Sequence, residues 1–168
     1  MHVLDYASPI GIIEIKGMAQ GISSILFADR VQIQYKQNEE TPSLLVECYT
    51  QLDEYFKGQR KAFSITFQFE GTDFQRSVWQ ALTTVLYGQT ASYKHIATIV
   101  GNEKAVRAVG TTNSRNLISI VVPCHRIIGS NGKLTGYAGG LWRKQWLLEH
   151  EQKHWKSDNN MGKALRKI

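Results

Sequence analysis

Short apolar runs dominate the first part of the chain. Ile10–Gly17, IGIIEIKG, and Gly21–Asp29, GISSILFAD, hold β-branched residues between glycines or polar turns, the pattern of strands in an antiparallel meander. Leu44, Leu45, Cys48, Leu52, Tyr55 and Phe56 then recur at spacings of three and four, which predicts a helix with one apolar face. Thr41-Pro42 predicts its start, with threonine as N-cap and proline at the first helical position. Cys48 lies on the apolar face, where a small buried hydrophobe is expected. Lys61–Gly71, KAFSITFQFEG, alternates like one more strand.

After Gly71 the period becomes helical. Thr72 or Asp73 can cap a helix whose buried stripe is Phe74, Val78, Trp79, Leu82 and Val85. Ser92 can cap a short helix over YKHIATIV, and Asn102 a second over EKAVRAVGTTN. With the Gly101 turn between them they form a helix-turn-helix pattern. ISIVVP is continuously apolar, and RIIGSNGKLTGYAGG reads as a hairpin about Asn131-Gly132, as a wing would. LWRKQWLLEHEQ is the last helix. The expected division is residues 1–71, residues 72–151 and a loose basic tail over 152–168.

Charge sharpens this division. Residues 1–71 carry six Lys and Arg against nine Asp and Glu, net −3, whereas residues 72–168 carry fourteen against five, net +9. A basic second part next to an acidic first part points to a polyanion, nucleic acid first, with a solvated basic face as the plain alternative. A hydrophobic content of 42% with 20% charged residues is that of a globular chain and argues against global disorder. No apolar run approaches the roughly 18 residues of a membrane helix, and the first residues lack a signal-peptide pattern. Two cysteines, Cys48 and Cys124, make no disulfide framework, which suggests free thiols in a reducing cytoplasm.

The chemistry concentrates in IVVPCHRIIG, where Cys124, His125 and Arg126 interrupt an apolar segment. A catalytic thiol needs nearby positive charge or a base. On a strand His125 would point away from Cys124, so a tight turn or a bridging water must connect them. A histidine base also needs a third group to fix its tautomer. Of the acids that follow, Glu149 or Glu151 on the last helix is the candidate. Cys124 as buried filler beside a surface His125 is the competing reading. No Cys or His spacing suits zinc.

PCHRIIG, preceded by NLISIVV and followed by GYAGGLWRKQWLLEHE, closely resembles the O6-alkylguanine-DNA alkyltransferase family, the methylated-DNA–protein-cysteine methyltransferases. The similarity begins at FQRSVWQAL and keeps YGQTASY, GNEKAVRAVG and TTNSRN in order. It implies an α+β fold, with an N-terminal ribonuclease H-like α/β domain and a C-terminal winged helix-turn-helix domain. It implies a repair protein that enters the minor groove of double-stranded DNA and flips out O6-alkylguanine, with O4-alkylthymine as a further substrate. The alkyl group then passes irreversibly to Cys124, in a single turnover. A monomer without cofactor or metal is expected, with cooperative loading on DNA left open.

Residue by residue, the resemblance makes Cys124 the acceptor, His125 its base through a water, and Glu151 the group that orients His125. Arg107 would fill the gap left by the flipped base, with Ala108, Thr111 and Thr112 beside it on the DNA. Tyr93 would push the phosphate and hydrogen-bond the guanine, and Asn116 would brace the turn into the site. Ile127, Tyr137, Ala138 and Lys144 would line the guanine pocket. Many relatives have proline where this chain has Leu117, which implies a less rigid turn here.

Overall fold

A computed structural model describes the backbone of residues 1–166 and the side chains of residues 1–158. The expected meander is present: β1 (His2–Ser8), β2 (Gly11–Met18) and β3 (Gly21–Phe27) form an antiparallel sheet in the order β1-β2-β3. Leu4 and Tyr6 pair with Ile15 and Ile13, and Ile15 pairs in turn with Ile25, so one face of the sheet is apolar. The register shifts at Lys16/Gly17. A Cβ at Gly17 would lie 2.7 Å from the Gly21 carbonyl oxygen, so only glycine fits this bulge.

Helix α1 (Ser43–Phe56) lies on β1 and β2 and buries Leu45, Cys48, Leu52, Tyr55 and Phe56. It starts one residue later than the Thr41-Pro42 signal predicts. Pro42 occupies the N-cap position without a side-chain cap, while the Thr41 hydroxyl accepts from the Asn38 amide at 2.9 Å. A cap contributes about 1 kcal/mol, less than the roughly 2 kcal/mol from burying one leucine, so packing places this helix. The alternating 61–71 segment is not a full strand. It contributes an isolated bridge, Ile22 to Phe67, because few of its backbone groups find partners on β3.

Helix α2 (Asp73–Leu82) begins with a complete capping box, Thr72 with Gln75. Strand β4 (Ala91–Ser92) leads into α3 (Tyr93–Ile99), capped by Ser92 through the His95 amide. Gly101, at φ 85°, turns the chain toward α4 (Val106–Ser114), and α3 packs on α4. This is the expected helix-turn-helix. Asn102 does not cap α4: its side chain accepts from the Lys104 amide within a separate turn, and Ala105 takes the N-cap position.

The expected wing hairpin is not formed. A 3₁₀ turn (Cys124–Arg126) is followed by β5 (Ile127–Ile128), which pairs in parallel with β4 instead of with a returning arm. The Asn131-Gly132 turn is real but local, closed by the Gly129 amide on the Lys133 carbonyl at 2.9 Å. The last helix, α5 (Leu141–Arg166), runs well past the expected end. The supposed loose tail is therefore helical as far as Arg166, with residues 167–168 outside the described residues. Gln152 anchors the extension by donating to the Gly88 carbonyl at 2.6 Å. Among the described residues no helix is long and apolar enough to cross a membrane.

Candidate active site

Cys124 sits at the start of the 3₁₀ turn, just after Pro123. In such a turn successive side chains fan around an axis and do not alternate, so the opposition expected of a strand does not apply. The preceding turns are tight, and Ile120 takes φ 71°, a left-handed conformation costly for a β-branched residue. Asn116 holds them: its amide donates to the carbonyls of Val122 at 2.9 Å and Ile118 at 3.3 Å, and its oxygen accepts from the Ile118 amide at 3.0 Å. Asn113 on α4 donates to the Cys124 carbonyl at 3.3 Å. The helix-turn-helix is thereby joined to the thiol by side-chain bonds to backbone.

The structure brings His125 and Glu151 together. Nε2 of His125 lies 2.6 Å from Oε2 of Glu151, and both side chains are buried. Glu149, the other acid left open, is exposed and bonds Gln145. Arg126 completes the cluster, donating from Nε to Glu151 Oε1 at 2.8 Å and from Nη2 to Oε2 at 3.2 Å. The Tyr55 hydroxyl donates to Oε2 at 2.6 Å and the Gly88 amide to Oε1 at 3.2 Å. Burial alone would raise the Glu151 carboxyl, yet the His125 ring and the Arg126 guanidinium hold it well below the usual carboxylate range.

An ionised carboxylate can only accept, so the network places the His125 proton on Nε2. Nδ1 is then the lone-pair nitrogen, and it has no protein partner. Burial lowers the His125 pKa, with the Glu151 charge opposing it, so the resting ring is neutral. Burial pushes the Cys124 thiol up, against the Asn116 amide and the Lys144 charge. Lys144 itself is fully buried and brought down to about 8 by burial, the nearby Cys124 opposing. Its Nζ donates to the Thr135 carbonyl at 2.7 Å and lies 3.5 Å from the Tyr93 hydroxyl. Tyr93 Oη in turn donates to the Thr135 carbonyl at 3.0 Å.

Around this centre Ile127 and Tyr137 are buried, whereas Ala138 is exposed. Arg107, Ala108 and Thr111 are exposed along α4 and line one open groove with Thr72, Phe74 and Lys104. Thr112 lines the same groove but is almost fully buried, and its backbone carbonyl accepts from the Trp79 indole at 2.9 Å. Leu117 is half exposed, its carbonyl accepting from the Ile25 amide at 2.8 Å.

Sequence reasoning missed Tyr55, Asn113 and Arg143. Tyr55 resembles any other aromatic of the α1 stripe. Arg143 binds the Ile10 carbonyl at 2.8 Å and the Gly139 carbonyl at 3.0 Å, tying the β1–β2 turn to the loop carrying Tyr137. Arg126 stands beside the thiol in the CHR triplet as a nearby positive charge, but its guanidinium turns to Glu151. Among the described residues no group of His, Cys, Asp and Glu is placed to hold a metal ion.

A helix-turn-helix ending on a buried thiol, imidazole and carboxylate describes a class of DNA-acting protein. Comparison with known proteins identifies it further. The family model for the DNA-binding domain of 6-O-methylguanine DNA methyltransferase matches residues 73–153, and that for its ribonuclease-like domain matches residues 3–69. The chain belongs to this family. A methylated-DNA–protein-cysteine methyltransferase of Methanosarcina acetivorans is 46% identical over 90% of this chain and 98% of its own. The constitutive Bacillus subtilis protein of that name is 51% identical over 71% of this chain and 73% of its own. The Mycobacterium tuberculosis O6-methylguanine methyltransferase superposes with TM-score 0.81 at 39% identity, over 91% of this chain and 93% of that one. The same organism's protein in complex with DNA gives 0.82, over 92% and 94%.

Proposed function

We propose that this protein repairs O6-alkylguanine in double-stranded DNA by moving the alkyl group to its own Cys124. The observation that carries the reading is the buried array of Cys124, His125 and Glu151 at the end of the helix-turn-helix domain. His125 takes the thiol proton on Nδ1, directly or through a water, and Glu151 stabilises the resulting imidazolium through Nε2. The thiolate attacks the carbon bound to guanine O6. The S–C bond forms as the C–O bond breaks, and the departing guanine takes up a proton from Tyr93, beside the Lys144 ammonium. A base held against the thiolate reacts as part of one molecule, which supplies much of the rate.

The product is a thioether. It offers water no electrophilic carbonyl, so each molecule acts once. The exposed α4 residues Arg107, Ala108 and Thr111 are the DNA contacts in this reading, with α4 in the minor groove and Arg107 in the gap behind the flipped base. The protein acts as a monomer in the cytoplasm, where Cys124 and Cys48 remain the free thiols they are here. A duplex labelled in the methyl group of O6-methylguanine tests the proposal. Wild-type protein acquires the label in stoichiometric amount, while Cys124→Ala binds the duplex and acquires none. Label on Cys124→Ala would reject the assignment.

A further inference from the structure

We propose that Tyr55, contributed by the N-terminal domain, is a positioning residue for alkyl transfer: its hydroxyl fixes Glu151 and moderates the carboxylate that faces His125. The inference rests on the Cys124, His125 and Glu151 reading above and extends it across the chain.

The Tyr55 hydroxyl reaches Glu151 Oε2 at 2.6 Å, over a separation of 96 positions. His125 uses the same oxygen at the same distance. Tyr55 is fully buried, and Glu151 is the one side chain its hydroxyl bonds among the described residues. A phenyl ring would fill this space equally well, and a buried hydroxyl is costly unless bonded. The hydroxyl therefore points to a polar task, and its partner is the carboxylate of the reacting cluster.

The backbone of Tyr55 is held from the same helix that carries Glu151. His150 Nε2 donates to the Tyr55 carbonyl at 2.8 Å. Three residues on, Gly58 takes φ 76° to end α1, and any Cβ there would collide with the His154 ring. The ring packs edge-on against Tyr87 at 6.1 Å and tilted against Phe63 at 5.6 Å. The hydroxyl is thus aimed by the packing of the Tyr55 ring on Tyr87 and Phe63.

Tyr55 and His125, with Arg126 at a longer 3.2 Å, donate to this one oxygen and share its charge. Without the tyrosine, Oε2 becomes more basic toward His125, so the imidazolium gains and the carboxylate is less firmly oriented. The titratable and charged groups facing this pair are Arg126 and His125 on the 3₁₀ turn, Tyr87 before β4, Tyr137 before α5, and Lys144 and His150 on α5. None of them replaces a hydroxyl at Oε2.

Tyr55→Phe in the full-length protein tests this, since it keeps the ring and removes one oxygen. The readouts are the single-turnover rate of methyl transfer from an O6-methylguanine duplex, duplex affinity, and the His125 titration midpoint by ring NMR. The expected result is unchanged affinity, transfer slowed about tenfold, the worth of one bond to a charged group, and a His125 midpoint moved upward. An unchanged rate, or a slower rate with an unmoved midpoint, would overturn the proposal. Fluorotyrosine at position 55 guards against misfolding. It keeps the bond with a stronger donor and should move the midpoint downward; no movement counts against the proposal. Failure of the underlying reading looks different, because wild-type protein would then leave Cys124 unlabelled.

Discussion

Nε2 of His125 and Oε2 of Glu151 stand 2.6 Å apart across 26 positions of chain, with neither side chain open to solvent. Dry surroundings strengthen this bond and also make its loss costly. Glu151→Gln keeps the shape but leaves Arg126 without its anion and His125 without a counter-charge. Transfer should slow by about a hundredfold or more, and stability should fall by about 3 kcal/mol or more. Rapid-quench kinetics and urea unfolding measure the two.

The same carboxylate carries an acid dependence. Its folded pKa lies below the ordinary value of 4.5, so the unfolded chain binds the proton more tightly. The stabilisation from Glu151 is therefore present above about pH 4.5 and is lost as pH falls toward the lower folded value. Urea unfolding of wild type between pH 6 and pH 3, on the order of that window, should show a loss that Glu151→Gln shows less.

Lys144 has the same slope with pH but, unlike Glu151, costs stability at neutral pH. Its pKa falls from 10.5 to about 8 on folding, so the unfolded chain holds the extra proton between these values. Stability from this group rises with pH across that interval, and the charged lysine is a burden below it. Lys144→Met should stabilise the protein at neutral pH and flatten the alkaline rise. It should also lower Cys124 alkylation by a small haloacetamide, because the charge that favours the thiolate is gone.

Arg107 and Thr112 line one groove on one helix but differ in exposure. Arg107→Ala should weaken binding to the lesion duplex by about tenfold, measured by fluorescence anisotropy. Thr112→Ala should weaken binding less, because this groove residue is only 4% exposed.

Much of the fold was legible because local signals and packing agree. Thr72, Ser92 and the α1 stripe all announce elements that form, α1 one residue later than Thr41-Pro42 predicts. Errors arose where a partner decided the outcome. The 61–71 segment alternates correctly but meets β3 at a single bridge, and the Asn131-Gly132 turn has no second strand to join. In the site, Cys124, His125 and Glu151 could be named because they occupy motif positions. Tyr55 could not, since nothing in an apolar stripe marks which aromatic hydroxyl will meet an acid from the far end of the chain.

The most direct measurement is the intact mass of the protein, with peptide mapping, before and after exposure to a stoichiometric O6-methylguanine duplex. A gain of one methyl group per molecule is expected, confined to the peptide containing Cys124, with no further gain on added duplex. An unmodified protein, or a methyl group on any other residue, would contradict it.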